Sequence, residues 1–136
     1  MEIRHGHVHQ DLPDEWWEEA GMVGFVPARA AYRPSPSPYP LERVFEIPIT
    51  DVEPFERKLS HGIFNDSELF GTARKRVVSI LRGFREDAGI PPVHVVRIGP
   101  SGPYRFRLHA GAHRFYCSVA AGFKNVSAVD VTDDLL

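Results

Sequence analysis

The stretch YRFRLHAGAHRFYCSVAAGF, residues 104–123, constrains this chain more than any other. Tyr104, Phe106 and Leu108 alternate with Arg105, Arg107 and His109, the period-two pattern of a strand with one face buried. Gly111 then allows a tight turn without a Cβ clash. Beyond it Phe115, Val119 and Ala120 recur at helical spacing, and Gly122 is a natural stop. A strand that enters a helix through glycine points unpaired N–H groups at one spot, with the positive end of the helix dipole behind them. Such a turn suits an anion. Arg114 in the first helical turn adds a permanent cation with a fork of donors, which turns the expectation towards phosphate.

The rest of the chain has to supply a body for that turn. Its 136 residues fit one domain with a real core. At 43% hydrophobic and 25% charged, the composition is that of ordinary globular protein. A formal charge of -2 argues against coating nucleic acid by bulk charge, while leaving room for a local basic face. Cys117 is the single cysteine, so no intrachain disulfide forms and nothing points to an oxidising compartment. The polar, histidine-bearing start is unlike a signal peptide, and no apolar run approaches the ~20 residues of a membrane span. A cytoplasmic location is the expectation.

In chain order, MEIRHGHVHQD (1–11) places His5, His7 and His9 on one face if it is extended. His7, His9 and Asp11 are too few for a metal site by themselves, so a polar terminal segment with no metal is preferred. A short helix follows between Pro13 and Gly21, with Asp14 as its cap. Its adjacent Trp16 and Trp17 cannot face one core together, so one packs inward and the other is available to a protein partner. The proline-rich YRPSPSPYP (32–40) reads as a spacer. These features divide the chain into an N-terminal extension, 1–40, and a domain, 41–136.

Within that domain, Val44–Ile49 reads as a strand whose Pro48 marks an edge. The acids of the following turn, Asp51, Glu53 and Glu56, are solvated loop charges or site acids. From Ser67 to about Arg85 the pattern is helical, capped by Asp66 or Ser67, with an apolar stripe of Ala73, Val77, Ile80, Leu81 and Phe84. Arg74, Lys75, Arg82 and Arg85 form its solvated face, and Arg76 borders the stripe. Ile90–Ile98 reads as a buried strand, joined through Gly99–Pro103 to the strand of the opening stretch, and Val126–Val131 is a last strand. The expected fold is α+β (α/β), a small mixed sheet with flanking helices.

This arrangement resembles the ParB N-terminal/sulfiredoxin superfamily from about Val44 to Val131. The resemblance rests on Pro91-Pro92-Val93 at a strand start, the hairpin into Phe106, Gly111-Ala112-His113-Arg114 opening a helix that ends at Gly122, and Arg76-Val77 followed by Ser79. It implies a nucleotide, ATP or CTP with Mg2+, held at its phosphates by Arg76, Ser79, Gly111, Ala112, His113 and Arg114. Arg76 stands where the family pattern has lysine. Ala112 stands where sulfiredoxin has its catalytic cysteine, so sulfinic-acid repair is not expected. Pro54-Phe55-Glu56 is similar to the segment that carries the catalytic glutamate of free serine kinases in this superfamily. Glu56 and His113 are therefore the candidate catalytic acid and base of a phosphohydrolase or phosphotransferase. Alternatives are a ParB-like nuclease or DNA-binding protein using Arg105, Arg107 and the basic helix face, and a noncatalytic nucleotide sensor with Trp16 and Trp17 as its contact surface.

Overall fold

The structure, a computed structural model, describes residues 1–55, 64 and 72–135. Among them the chain forms a small α+β protein with three α-helices, a two-stranded sheet and a four-stranded mixed sheet. The two-stranded sheet is an N-terminal hairpin, β1 (Glu2–His5) against β2 (Val8–Asp11). Gly6, at φ +58°, lets the chain reverse between them. This reversal overturns the expectation of three histidines on one face. Ile3, His5, Val8 and Gln10 face inward, whereas His7 and His9 are exposed. α1 (Asp14–Glu19) follows, with Trp16 buried and Trp17 half-buried. Asp14 does not cap it: Pro13 occupies the cap position, and Asp14 instead accepts from the N-terminal ammonium at 2.7 Å.

The main sheet runs in the order β3-β6-β4-β5, with β3 at Phe45–Pro48, β4 at Val93–Arg97, β5 at Phe106–Ala110 and β6 at Asn125–Asp130. β3 is an edge strand that ends in Pro48, as expected for a residue without an N–H to donate. β4 and β5 are antiparallel with an irregularity at His94/Val95, and β4 and β6 are parallel. β6 is central, and its run Val126-Ser127-Ala128-Val129 is buried, as a strand covered on both faces requires. The β4–β5 connection runs from 98 to 105, and the Ile98 N–H donates to the Arg105 carbonyl within it, so the unpaired loop is 99–104, one residue longer than expected.

α2 (Thr72–Arg85) buries the whole expected stripe, Ala73, Val77, Ile80, Leu81 and Phe84. The expected caps Asp66 and Ser67 lie outside the described residues. α3 (Ala112–Ala121) packs on β4 and β6 and against α2, burying Phe115, Tyr116 and Cys117 completely. The first 40 residues share this core: Leu12, Trp16, Met22 and Tyr32 belong to the same apolar cluster as Val77 and Val95. The proline-rich segment is tied down as well. Arg33 and Ser35 exchange backbone hydrogen bonds with Ile90, and the Tyr32 hydroxyl donates to the Pro91 and Ser127 carbonyls. No helix among the described residues is long and apolar enough to cross a membrane.

Candidate functional site

β5 stops at Ala110, and Gly111 turns the chain at φ +98°, a left-handed conformation that a side chain would strain. The Phe115 N–H donates to the Gly111 carbonyl at 2.9 Å and closes the first turn of α3. The backbone N–H groups of Ala112, His113 and Arg114 therefore precede the first helical bond and point out of the helix start. The space at Gly111 is spoken for by its neighbours. A Cβ there would lie 3.0 Å from Arg114 Nη2 and 3.0 Å from Val93 Cγ1. Glycine is what lets the arginine fold back over its own turn.

Arg114 is half-buried, and its Nη1 donates to the Pro91 carbonyl at 3.1 Å and to the Pro92 carbonyl at 2.7 Å. Burial pushes its guanidinium below the usual arginine range, and the nearby Arg76 charge pushes in the same direction. No carboxylate pairs with either arginine among the described residues. Two like charges lining one cleft, one of them half-buried, form an arrangement that a bound anion would relieve.

Arg76 reaches this spot from α2. Ser79 and Ile80 lie three and four residues after Arg76, and Gly83 and Glu86 continue at steps of three, so the five share one side of α2 and of the turn that ends it. That face, the Gly111 turn and the segment Ala88–Pro91 enclose a cleft of about 770 Å³. Arg76, Ser79, Gly111, Ala112, His113 and Arg114, which the sequence nominated, all line it. His113 is half-buried, with the Phe64 ring 6.1 Å from its own. Glu56 lies outside the described residues. Sequence reasoning missed Arg82, Gly83 and Glu86, which also line the cleft. Continuing the three-to-four spacing from Arg76 along the helix would have found Gly83 and Glu86.

Other candidates sit elsewhere. Arg107 pairs with Glu53 at 2.7 Å and Arg105 lies 3.8 Å from Asp51, so the basic face of β5 is partly neutralised. On α2, Arg74 pairs with Glu19 at 3.0 Å. Cys117 is fully buried, which raises its thiol pKa far above the ordinary range and leaves it unsuited to act as a nucleophile. His5 is buried, its Nε2 within 2.7 Å of the Val52 carbonyl and its ring edge-on to Phe115. Among the described residues no group of three or more His, Cys, Asp or Glu could hold a metal ion. Glu86 is the one carboxylate among the described residues lining the cleft, so these residues do not supply a magnesium site of their own. No family model, curated protein or solved structure matches the chain.

Proposed function

We propose that the cleft binds the phosphate groups of a nucleotide, and that the chain is a ParB/sulfiredoxin-like domain of the phosphohydrolase or phosphotransferase kind. The observation that carries this reading is the convergence of Arg76 and Arg114 on the start of α3 without a carboxylate partner among the described residues. Oriented N–H groups and two guanidinium groups converging on one spot favour a multiply charged oxyanion over a single carboxylate. ATP or CTP is the expected ligand class. Magnesium would arrive on the phosphates as their counter-ion.

For chemistry, His113 stands at the cleft as the candidate acid or base, and Glu56 is retained as the second. Sulfinic-acid repair is not part of the proposal, because Ala112 replaces the required thiol and Cys117 is buried. A nucleic-acid role gains little support, since Arg105, Arg107 and Arg74 sit beside acids. A protein contact on the first helix would fall to the half-buried Trp17, since Trp16 is in the core.

The test is a thermal-shift panel of ATP, CTP and GTP with magnesium, followed by phosphate release. A ligand at 100 times its Kd stabilises by about 2.7 kcal/mol and raises the midpoint measurably. Turnover that disappears in Glu56→Gln with binding kept would assign that acid. A midpoint unmoved by every nucleotide at millimolar concentration would remove the proposal.

A further inference from the structure

A second cavity, of about 660 Å³, shares Gly83 and Ala88 with the phosphate cleft, so the end of α2 is a wall of both. That volume falls in the range of small-molecule sites. Its floor is a run of aromatic rings. Tyr32 stacks on Phe84 at 5.3 Å between centroids, Phe84 meets Phe123 edge-on at 5.1 Å, and Phe123 meets Phe25 at 6.2 Å. Val26, which also lines the cavity, is 78% exposed, more than any other large apolar side chain among the described residues. An apolar group placed there would take that surface out of water.

The charged part of the lining is mostly cationic. The guanidinium groups of Arg29, Arg33 and Arg85 stand against one carboxylate, that of Asp87. Asp87 displays what these arginines take: Arg29 Nε and Nη2 donate to it at 3.1 and 3.3 Å, and Arg33 Nη2 at 2.8 Å. A guanidinium has five N–H donors, so most of theirs are left for a ligand. Arg85 forms no ion pair among the described residues and lies against Gly21, where a Cβ would come within 3.1 Å of its Nε.

We propose that this cavity binds a small carboxylic acid with an apolar body, its carboxylate on the arginines and its body on the aromatic floor. The site is separate from the phosphate cleft and stands whether or not that cleft takes a nucleotide. Planar guanidinium forks match a carboxylate through two parallel hydrogen bonds. The body is apolar because the floor offers it nothing polar: its one hydroxyl, on Tyr32, donates to the Pro91 and Ser127 carbonyls. A nucleoside would leave the donors and acceptors of its base and sugar unpaired on such a floor. A neutral molecule of the right shape gains the floor without the arginines, and a cation is repelled by their surplus charge.

Titration of the full chain with 3-phenylpropionate and with octanoate, each beside its neutral carboxamide, tests this by calorimetry and backbone chemical-shift mapping. Wild type should show saturable shifts on residues 25–33 and 83–88 and on Phe123. At least one acid should bind about tenfold or more tighter than its carboxamide, the effect of one charged hydrogen bond. Val26→Glu sets a carboxylate beside the floor at an exposed position, so it should keep its melting midpoint and weaken that acid about tenfold. Arg85→Gln, which breaks no ion pair among the described residues, should weaken the acid about threefold or more and leave the carboxamide within about twofold. Acid and carboxamide binding alike, or acid affinity unchanged in both variants, overturns the carboxylate assignment. Shifts centred on the Gly111 turn, or none at millimolar acid, overturn the site. A dimer that Val26→Glu dissociates in sedimentation would give the face to a second copy of the chain and overturn the proposal as well.

Discussion

Arg114→Ala should damage both binding and stability, whereas Arg76→Ala should damage binding alone. The difference follows from what each guanidinium touches. Arg114 donates to the carbonyls of Pro91 and Pro92, at 3.1 and 2.7 Å, and so staples the start of α3 to the start of β4. A hydrogen bond from a charged donor contributes about 1.5–3 kcal/mol. The Pro91 bond is exposed and its carbonyl also accepts from the Tyr32 hydroxyl, so it counts for little. The Pro92 bond carries most of the effect, and the loss totals about 2–3 kcal/mol. Relief of the Arg76–Arg114 repulsion works the other way and is smaller, because Arg76 is exposed and screened. In a chain of this size 1 kcal/mol moves Tm by roughly 3–5 °C, so Arg114→Ala should melt about 10 °C low. Arg76→Ala, on an exposed face, should stay within about 0.5 kcal/mol of wild type. Urea titration with a constant slope measures both. Arg114→Lys separates the roles, keeping charge for the anion while losing the planar fork on two carbonyls. Wild-type stability in Arg114→Ala, or equal destabilisation in Arg76→Ala, would refute the reasoning.

Burial holds His5 below its ordinary pKa, partly opposed by its bond to the Val52 carbonyl. The unfolded chain therefore takes up that proton first, and stability should fall as pH drops below about 6.5. His94, depressed by burial and then by Arg114, His109 and Arg43, adds to the same slope. His5→Gln should flatten the curve between about pH 7 and pH 5, and an unaltered slope would remove His5 from the effect. Gly111→Ala forces a Cβ into a left-handed turn and against Arg114, which should cost about 1–3 kcal/mol and lower nucleotide affinity; wild-type values for both would contradict the turn geometry. The buried Cys117 thiol should react with an aromatic disulfide reagent only as fast as the chain opens, whereas stoichiometric labelling on mixing would show it exposed.

What could be read in the sequence was whatever local pattern decides. Gly111 and Gly122 bracket α3 because each end needs a left-handed residue, and the α2 stripe is legible because its period is 3.6. Strict alternation does not carry across Gly6, where the chain reverses, so His5 falls on a different face from His7 and His9. The burial of His5 depends on Val52 and Phe115, both far away in the chain. The same limit applies to the site. Arg114 was legible as a cation at a helix start, but its bonds to Pro91 and Pro92 come from a neighbouring strand. The sequence leaves Asp51 and Glu53 open between loop charges and site acids, and the bridge between Val52 and Phe106 is what sets them beside Arg105 and Arg107. Glu86 shares the helix face of Arg76, yet only the packing of α2 beside Ile90 turns that face into a cleft wall.

The central claim is that a nucleotide's phosphates sit between Arg76 and the start of α3. Amide chemical-shift mapping during a titration with ATP and with CTP tests it most directly. The account predicts that the largest saturable shifts fall on Ala112, His113 and Arg114 and on α2 around Arg76 and Ser79, and that Arg76→Glu abolishes them while the rest of the spectrum stays folded. Shifts centred on Arg105 and Arg107, or a spectrum unchanged by millimolar nucleotide, would contradict it.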